Sequence, residues 1–138
     1  MSPDVLAAPA PGAILVALTE PLPGFPGHRD YALVAADREG LVFWLQSIEP
    51  EGPRFLAVPA VSYFPDYVPA LPGPVREELA LSGPADAAIY CLVTVPGGDV
   101  SAATANLRAP VVVNPATGQA RQVVLADSGH PIRRPLRR

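Results

Sequence analysis

The chain of 138 residues has the length of one domain, enough to bury a core without metal or disulfide support. Apolar residues make up 49% of it, too many for a disordered chain, yet no apolar run approaches the ~20 residues that span a bilayer. Before residue 133 six arginines face thirteen carboxylates, a balance of −7, and Arg133, Arg134, Arg137 and Arg138 bring the whole to −3; such an acidic body repels phosphate backbones and attracts basic protein partners.

In chain order, residues 1–12 read as a flexible Pro/Ala-rich leader. Asp4 and several prolines stand where a secretory signal would carry basic and then apolar residues. With a single cysteine, Cys91, no internal disulfide is possible, and the cytoplasm is the expected compartment. Residues 13–19 form a first predicted strand. The following loop holds Pro21, Pro23 and Pro26 with Gly24 and Gly27, and Phe25 within it is placed to plug the core. Residues 31–36 and 41–48, joined by the polar turn Asp37-Arg38-Glu39-Gly40, read as a hairpin. Alternation puts Val42, Trp44, Gln46 and Ile48 on one face and Phe43, Leu45 and Ser47 on the other. Both faces are mostly apolar, which fits a closed barrel with a further covered side. Gln46 is then a half-buried amide that needs partners.

Glu49-Pro50-Glu51-Gly52 makes a turn, residues 53–58 another strand, and Pro59 its stop. Residues 62–69, Ser-Tyr-Phe-Pro-Asp-Tyr-Val-Pro, are aromatic and proline-rich: exposed, they are a recognition surface; buried, a loop packing its rings on the barrel. Residues 72–81 are the one predicted helix, with Pro74 in its first turn and Ser82-Gly83-Pro84 ending it. Residues 87–95 form a long apolar strand in which Cys91 is a small buried hydrophobe. In residues 104–114, Asn106 and Arg108 precede Pro110 and the β-branched run Val111-Val112-Val113. That pattern predicts an edge or bulged strand whose Asn106 satisfies loop backbone and whose Arg108 pairs with a carboxylate. A second hairpin runs through the turn 115–118 into residues 119–127, and residues 133–138 are expected to be a solvated basic tail. The expected fold is all-β, a small antiparallel β-barrel-like domain over residues 13–132 with one short helix.

Residues for covalent or metal chemistry are sparse. His28 and His130 are far apart in loops, no His or Cys spacing supplies a metal set, and Ser62 and Ser128 lack a nucleophile-elbow context. No enzyme and no cofactor is expected, although a triad assembled across the fold stays open.

Leu22-Pro23-Gly24-Phe25, Phe43-Trp44-Leu45-Gln46-Ser47-Ile48-Glu49, Pro65-Asp66-Tyr67, Asn106-Leu107-Arg108-Ala109-Pro110-Val111-Val112-Val113-Asn114 and Gln122-Val123-Val124-Leu125-Ala126-Asp127, in this order and spacing, resemble the flagellar assembly factor FliW family over roughly residues 14 to 136. The resemblance implies a non-enzymatic cytoplasmic protein that binds the translational regulator CsrA, relieves its repression of flagellin synthesis, and binds flagellin in alternation. For the partner surface it points to Asp66 and Tyr67, with Glu49 and Glu51 on a nearby turn. Trp44, Gln46, Asn106, Arg108 and Pro110 are assigned to the scaffold. A monomer without membrane or direct nucleic-acid contact is expected. Alternatives are a flagellin chaperone that leaves CsrA alone, a small barrel enzyme, and a nucleic-acid binder using the arginine tail.

Overall fold

A computed structural model describes residues 13–126 and 128–136. Its strands are β1 (Ile14–Leu18), β2 (Asp30–Ala35), β3 (Phe43–Ser47), β4 (Arg54–Pro59), β5 (Ala88–Thr94), β6 (Thr104–Ala105), β7 (Val111–Val113), β8 (Gln119–Gln122) and β9 (Arg134–Pro135), with helices α1 (Ala60–Tyr63) and α2 (Gly73–Glu78). The order β4-β3-β2-β1-β8-β7-β5, with β5 pairing back to β4, closes seven strands into a barrel; β6 and β9 extend from β5.

The inner faces of these strands fill the barrel. Val16, Leu18, Tyr31, Leu33, Leu45 and Val111 form its buried centre, and Phe25 packs against them from the loop after β1. Phe25 meets Phe55 edge to face at 5.3 Å between ring centroids, so the proline-rich loop is held by an aromatic pair worth about 1 kcal/mol beyond its buried area. The outer face is covered in two places. Val58, Phe64, Cys91, Ala105 and Leu107 make one external core beneath α1, and Val75, Leu79, Val112, Val123 and Leu125 make another beneath α2. This is why β5 is apolar on both faces: Ala88, Tyr90 and Leu92 pack on the barrel centre, and Ile89, Cys91 and Val93 on the external core.

Barrel closure departs from the all-antiparallel expectation: β1 and β8 are parallel, with Ala17 opposite Gln119 and Leu18 opposite Ala120. Ala17 N donates to Gly118 O at 2.8 Å and Thr19 N to Ala120 O at 2.9 Å. Gly118 makes this approach possible. Its φ is +80°, and a Cβ there would stand 2.9 Å from Leu15 O.

Other departures have local causes. Leu41 N and Val42 N donate to Asp37 Oδ1 at 3.0 and 3.1 Å, so β3 begins only at Phe43. The aromatic stretch opens with one helical turn, α1, in which Phe64 N donates to Ala60 O before Pro65 stops it, so the described residues carry two short α-helices where one was expected. The predicted strand 119–127 ends at Gln122; Val123 N and Leu125 N still donate to Pro110 O and Arg108 O, but Pro110 has no N–H to return the bond. The end of the chain is not simply a solvated tail, since Arg134 and Pro135 pair with Ala105 and Thr104. The leader 1–12, Asp127, Arg137 and Arg138 lie outside the described residues.

The hairpin turn and α2 are joined by Asn114, a buried polar residue. Its Nδ2 donates to Leu79 O at 2.7 Å, and its Oδ1 accepts from Ala116 N at 2.9 Å. Leu79 O is one of the carbonyls a helix end leaves without an intrahelical partner, and Ala80, at φ +55°, turns the chain off the helix there. On the outer side of α2, Arg121 on β8 grips Glu78 at 2.7 Å and Glu20 at 3.2 Å. The Arg121 hydrogen bond holds the Glu78 carboxyl below its ordinary value. The stability this adds is present above the ordinary glutamate range and is lost as acid protonates the folded state.

Asn114→Ala should lower the unfolding free energy by about 2 kcal/mol in urea denaturation, because it strands a buried helix carbonyl and frees the turn. Gly118→Ala should lower it by roughly 2 kcal/mol or more through left-handed strain and the Leu15 O clash, whereas Gly27→Ala, with open space around its Cα, serves as the neutral control.

Candidate partner-binding surface

The segment from α1 to α2 is built as a strap over β5. Phe64 is buried, Tyr67 N donates to Phe64 O at 2.9 Å, and this tight turn lifts Asp66 into solvent at its apex. Tyr67 points inward. Its hydroxyl donates to Leu107 O at 2.6 Å and its ring meets His130 edge to face at 4.9 Å. Burial raises the hydroxyl's pKa, so it remains a neutral donor. Tyr67 is therefore a strut that offers only part of its ring, while Asp66 is free to meet a partner. Val61 and Val68, on either side of this turn, are 76% and 77% exposed.

A furrow runs below the strap. Its larger lobe, 380 Å³, is lined by Tyr67, Val68, Leu71, Leu81 and Ile89 with Arg76; its smaller lobe, 210 Å³, continues over Tyr67, Ala87 and Ile89 to Pro59 and Val61. Ile89, Leu71 and Leu81 come from three separate segments, which is why a linear reading passes over them. The signal within the sequence was the apolar character of residues 68–71 next to a helix with few apolar positions.

Glu49 and Glu51 are exposed on the β3–β4 turn, but not beside Asp66. They sit at the start of β4 and Asp66 follows its end; six residues of strand at about 3.3 Å each put them some 20 Å apart. The expectation of a nearby turn is corrected accordingly: the alternation of turn and strand carried no information on which end of the barrel each turn occupies. Around Glu49, Ser47 Oγ accepts from Glu49 N at 3.1 Å, and both Ser47 Oγ and Glu49 Oε2 face His28 Nδ1, at 3.1 and 3.6 Å. A nucleophile–base relay needs serine and carboxylate on opposite ring nitrogens, so this trio is a loop clasp and not a triad. Gly52 lets the turn close on it, for a Cβ there would collide with the Ser47 side chain.

The residues assigned to the scaffold have the following partners. Asn106 Oδ1 accepts from Arg108 N and Ala109 N at 3.0 and 3.1 Å, shaping the turn into Pro110, which is buried. Among the described residues Arg108 pairs with no carboxylate: its Nε donates to His130 O at 2.8 Å and so holds the C-terminal segment. Trp44 lies on the outer face with the Arg54 guanidinium 4.2 Å from its ring centroid, and Gln46 stands opposite Ala32 and Arg54. Cys91 is buried, its thiol pushed up to about 12 by burial, which keeps it from acting as a nucleophile. Among the described residues no group of three or more His, Cys, Asp or Glu could hold a metal ion, and no helix is long and apolar enough to cross a membrane.

Comparison with known proteins identifies the scaffold. The model of the FliW protein family matches residues 10–136. The flagellar assembly factor FliW of Moorella thermoacetica is 34% identical over 115 residues, covering 83% of this chain and 73% of the relative. That of Symbiobacterium thermophilum is 40% identical over 117 residues, 82% of each. A crystal structure of the flagellar assembly factor FliW superposes with a TM-score of 0.80 at 30% identity, covering 88% of this chain and 84% of the other. The barrel, its motifs and these matches agree across nearly the whole length: this chain belongs to the FliW family of non-enzymatic flagellar assembly factors.

Proposed function

We propose that this protein works in the cytoplasm as a partner-switching regulator of flagellin synthesis. It binds the translational regulator CsrA and keeps it from flagellin messenger RNA; newly made flagellin competes for the same factor and releases CsrA. The observation that carries this reading is family membership over residues 10–136, joined to a body whose charge is −7 before the terminal arginines. An RNA-binding regulator presents basic surface, and complementary charge speeds and orients its encounter with an acidic partner. Asp66 is our first choice for the acidic contact, because it is exposed at the apex of the strap beside Val61 and Val68. Glu49 and Glu51 form a second, separate acidic site at the other end of β4. Binding of two partners in alternation requires that their surfaces overlap or be coupled through the barrel.

Calorimetric titration of the full chain against CsrA and against flagellin of the same organism, singly and in competition, should show binding to both and displacement of one by the other. Flagellin binding without CsrA binding would leave a flagellin chaperone, and binding to neither by a folded protein would overturn the proposal. Asp66→Lys should weaken CsrA binding several-fold and flatten its salt dependence, with the circular dichroism spectrum unchanged. An unaltered CsrA affinity in that variant moves the interface elsewhere, with Glu49→Lys/Glu51→Lys as the next measurement.

A further inference from the structure

The furrow below the strap is apolar except at one place. Among the described residues Arg76, on α2, is the only charged side chain in its lining, and it is exposed. Within the described residues no carboxylate lies at ion-pair distance from its guanidinium; Glu78, on the same helix, is taken by Arg121. Among the described residues Arg121 is the only arginine that makes an ion pair, so what sets Arg76 apart is its place, a guanidinium without a carboxylate partner at the side of an apolar furrow.

The shape adds to this. The two lobes share Tyr67, Ala87 and Ile89 in their linings and so lie side by side, one reaching to Leu81 and the other to Val61. The larger lobe alone falls in the size range of pockets that receive ligand groups. Exposed Val61 and Val68 stand on its rim and would lose water contact when it is filled. Two adjoining lobes suit a segment long enough to lay a side chain in each, with chain continuing on both sides.

We propose that the furrow docks an internal segment of a partner protein that lays at least two apolar side chains against Leu71, Leu81 and Ile89 and gives an Asp or Glu carboxylate to Arg76. The apolar floor supplies affinity, and the planar guanidinium supplies register, because its two-pronged hydrogen bonding to a carboxylate fixes where along the furrow the acid sits. The inference goes beyond the partner-switch reading and stands without it, since it names the chemistry of a segment and not the protein that carries it. It also separates two surfaces by charge: Asp66 above the strap faces basic partners, and Arg76 below it faces acidic ones.

The test is a displayed library of random twelve-residue peptides, flanked by carrier on both sides, selected on the full chain, with enriched peptides then titrated by fluorescence polarisation. Enriched peptides should combine two or more large apolar residues with an Asp or Glu. Replacing that acid by its amide, or Arg76→Glu in the protein, should weaken binding about tenfold, and a Lys in the acid's place should restore binding to the Arg76→Glu variant. Val68→Asp, at a rim position, should weaken every selected peptide while leaving the circular dichroism spectrum unchanged. Failure to enrich, enrichment without an acid, or indifference to Arg76→Glu would overturn the proposal. So would a concentration-dependent dimer that Val68→Asp abolishes, which would assign the furrow to a second copy of the chain.

Discussion

Everything in this molecule depends on closing one sheet upon itself. Closure removes the exposed strand edges that an open sheet presents to other chains, and it encloses a space that side chains from all seven barrel strands must fill together. The closing contact is the parallel pairing of β1 with β8, made by few backbone bonds and dependent on a left-handed glycine that brings the β7–β8 turn against Leu15. Since β1 follows the start of the chain and β8 lies near its end, closure ties distant sequence together and completes only when most of the chain is in place.

Outside the barrel, order is imposed by segments that are not strands. The strap after β4, the corner after β6 and the C-terminal segment hold one another: Tyr67 reaches Leu107, Arg108 reaches His130, Leu107 N donates to Pro131 O, and the Arg134 guanidinium lies 5.3 Å from the Phe64 ring centroid. Polar side chains here satisfy backbone groups that irregular chain leaves without ladder partners. A rigid barrel with a separately anchored strap is a scaffold on which surface residues can be exchanged without disturbing the core.

For a protein that works by contact, such a scaffold offers separated surfaces instead of one pocket. The acid at the apex of the strap, the acids on the β3–β4 turn and the arginine in the furrow are held apart by strand length and by the strap itself. Each is an exposed side chain on its own segment, so each can be altered without removing a bonding partner of the others. Linkage between partners bound at different surfaces would have to pass through the strap, which is anchored by buried Phe64 and by the Tyr67 hydroxyl on Leu107 O.

Much of the architecture was legible in the residues. Alternation that left β3 apolar on both faces required a covered outer side as well as a filled interior; Pro59, Asn114-Pro115 and the Pro-Gly loops marked where strands stop; and Asn106, too polar to be left unpaired near a core, shaped a turn. Those properties follow from the local period and from the cost of burying polar groups, so neighbouring residues suffice to express them. What tertiary structure alone decided were the relations between segments. The parallel register of β1 and β8, the bond from Arg108 to the His130 carbonyl, the strand at Arg134, the 20 Å or so between Glu49 and Asp66, and the meeting of Leu71, Leu81 and Ile89 around Arg76 each relate residues distant in the chain. No local pattern encodes them, because they are set by which way a closed sheet turns and by what its outer face must cover.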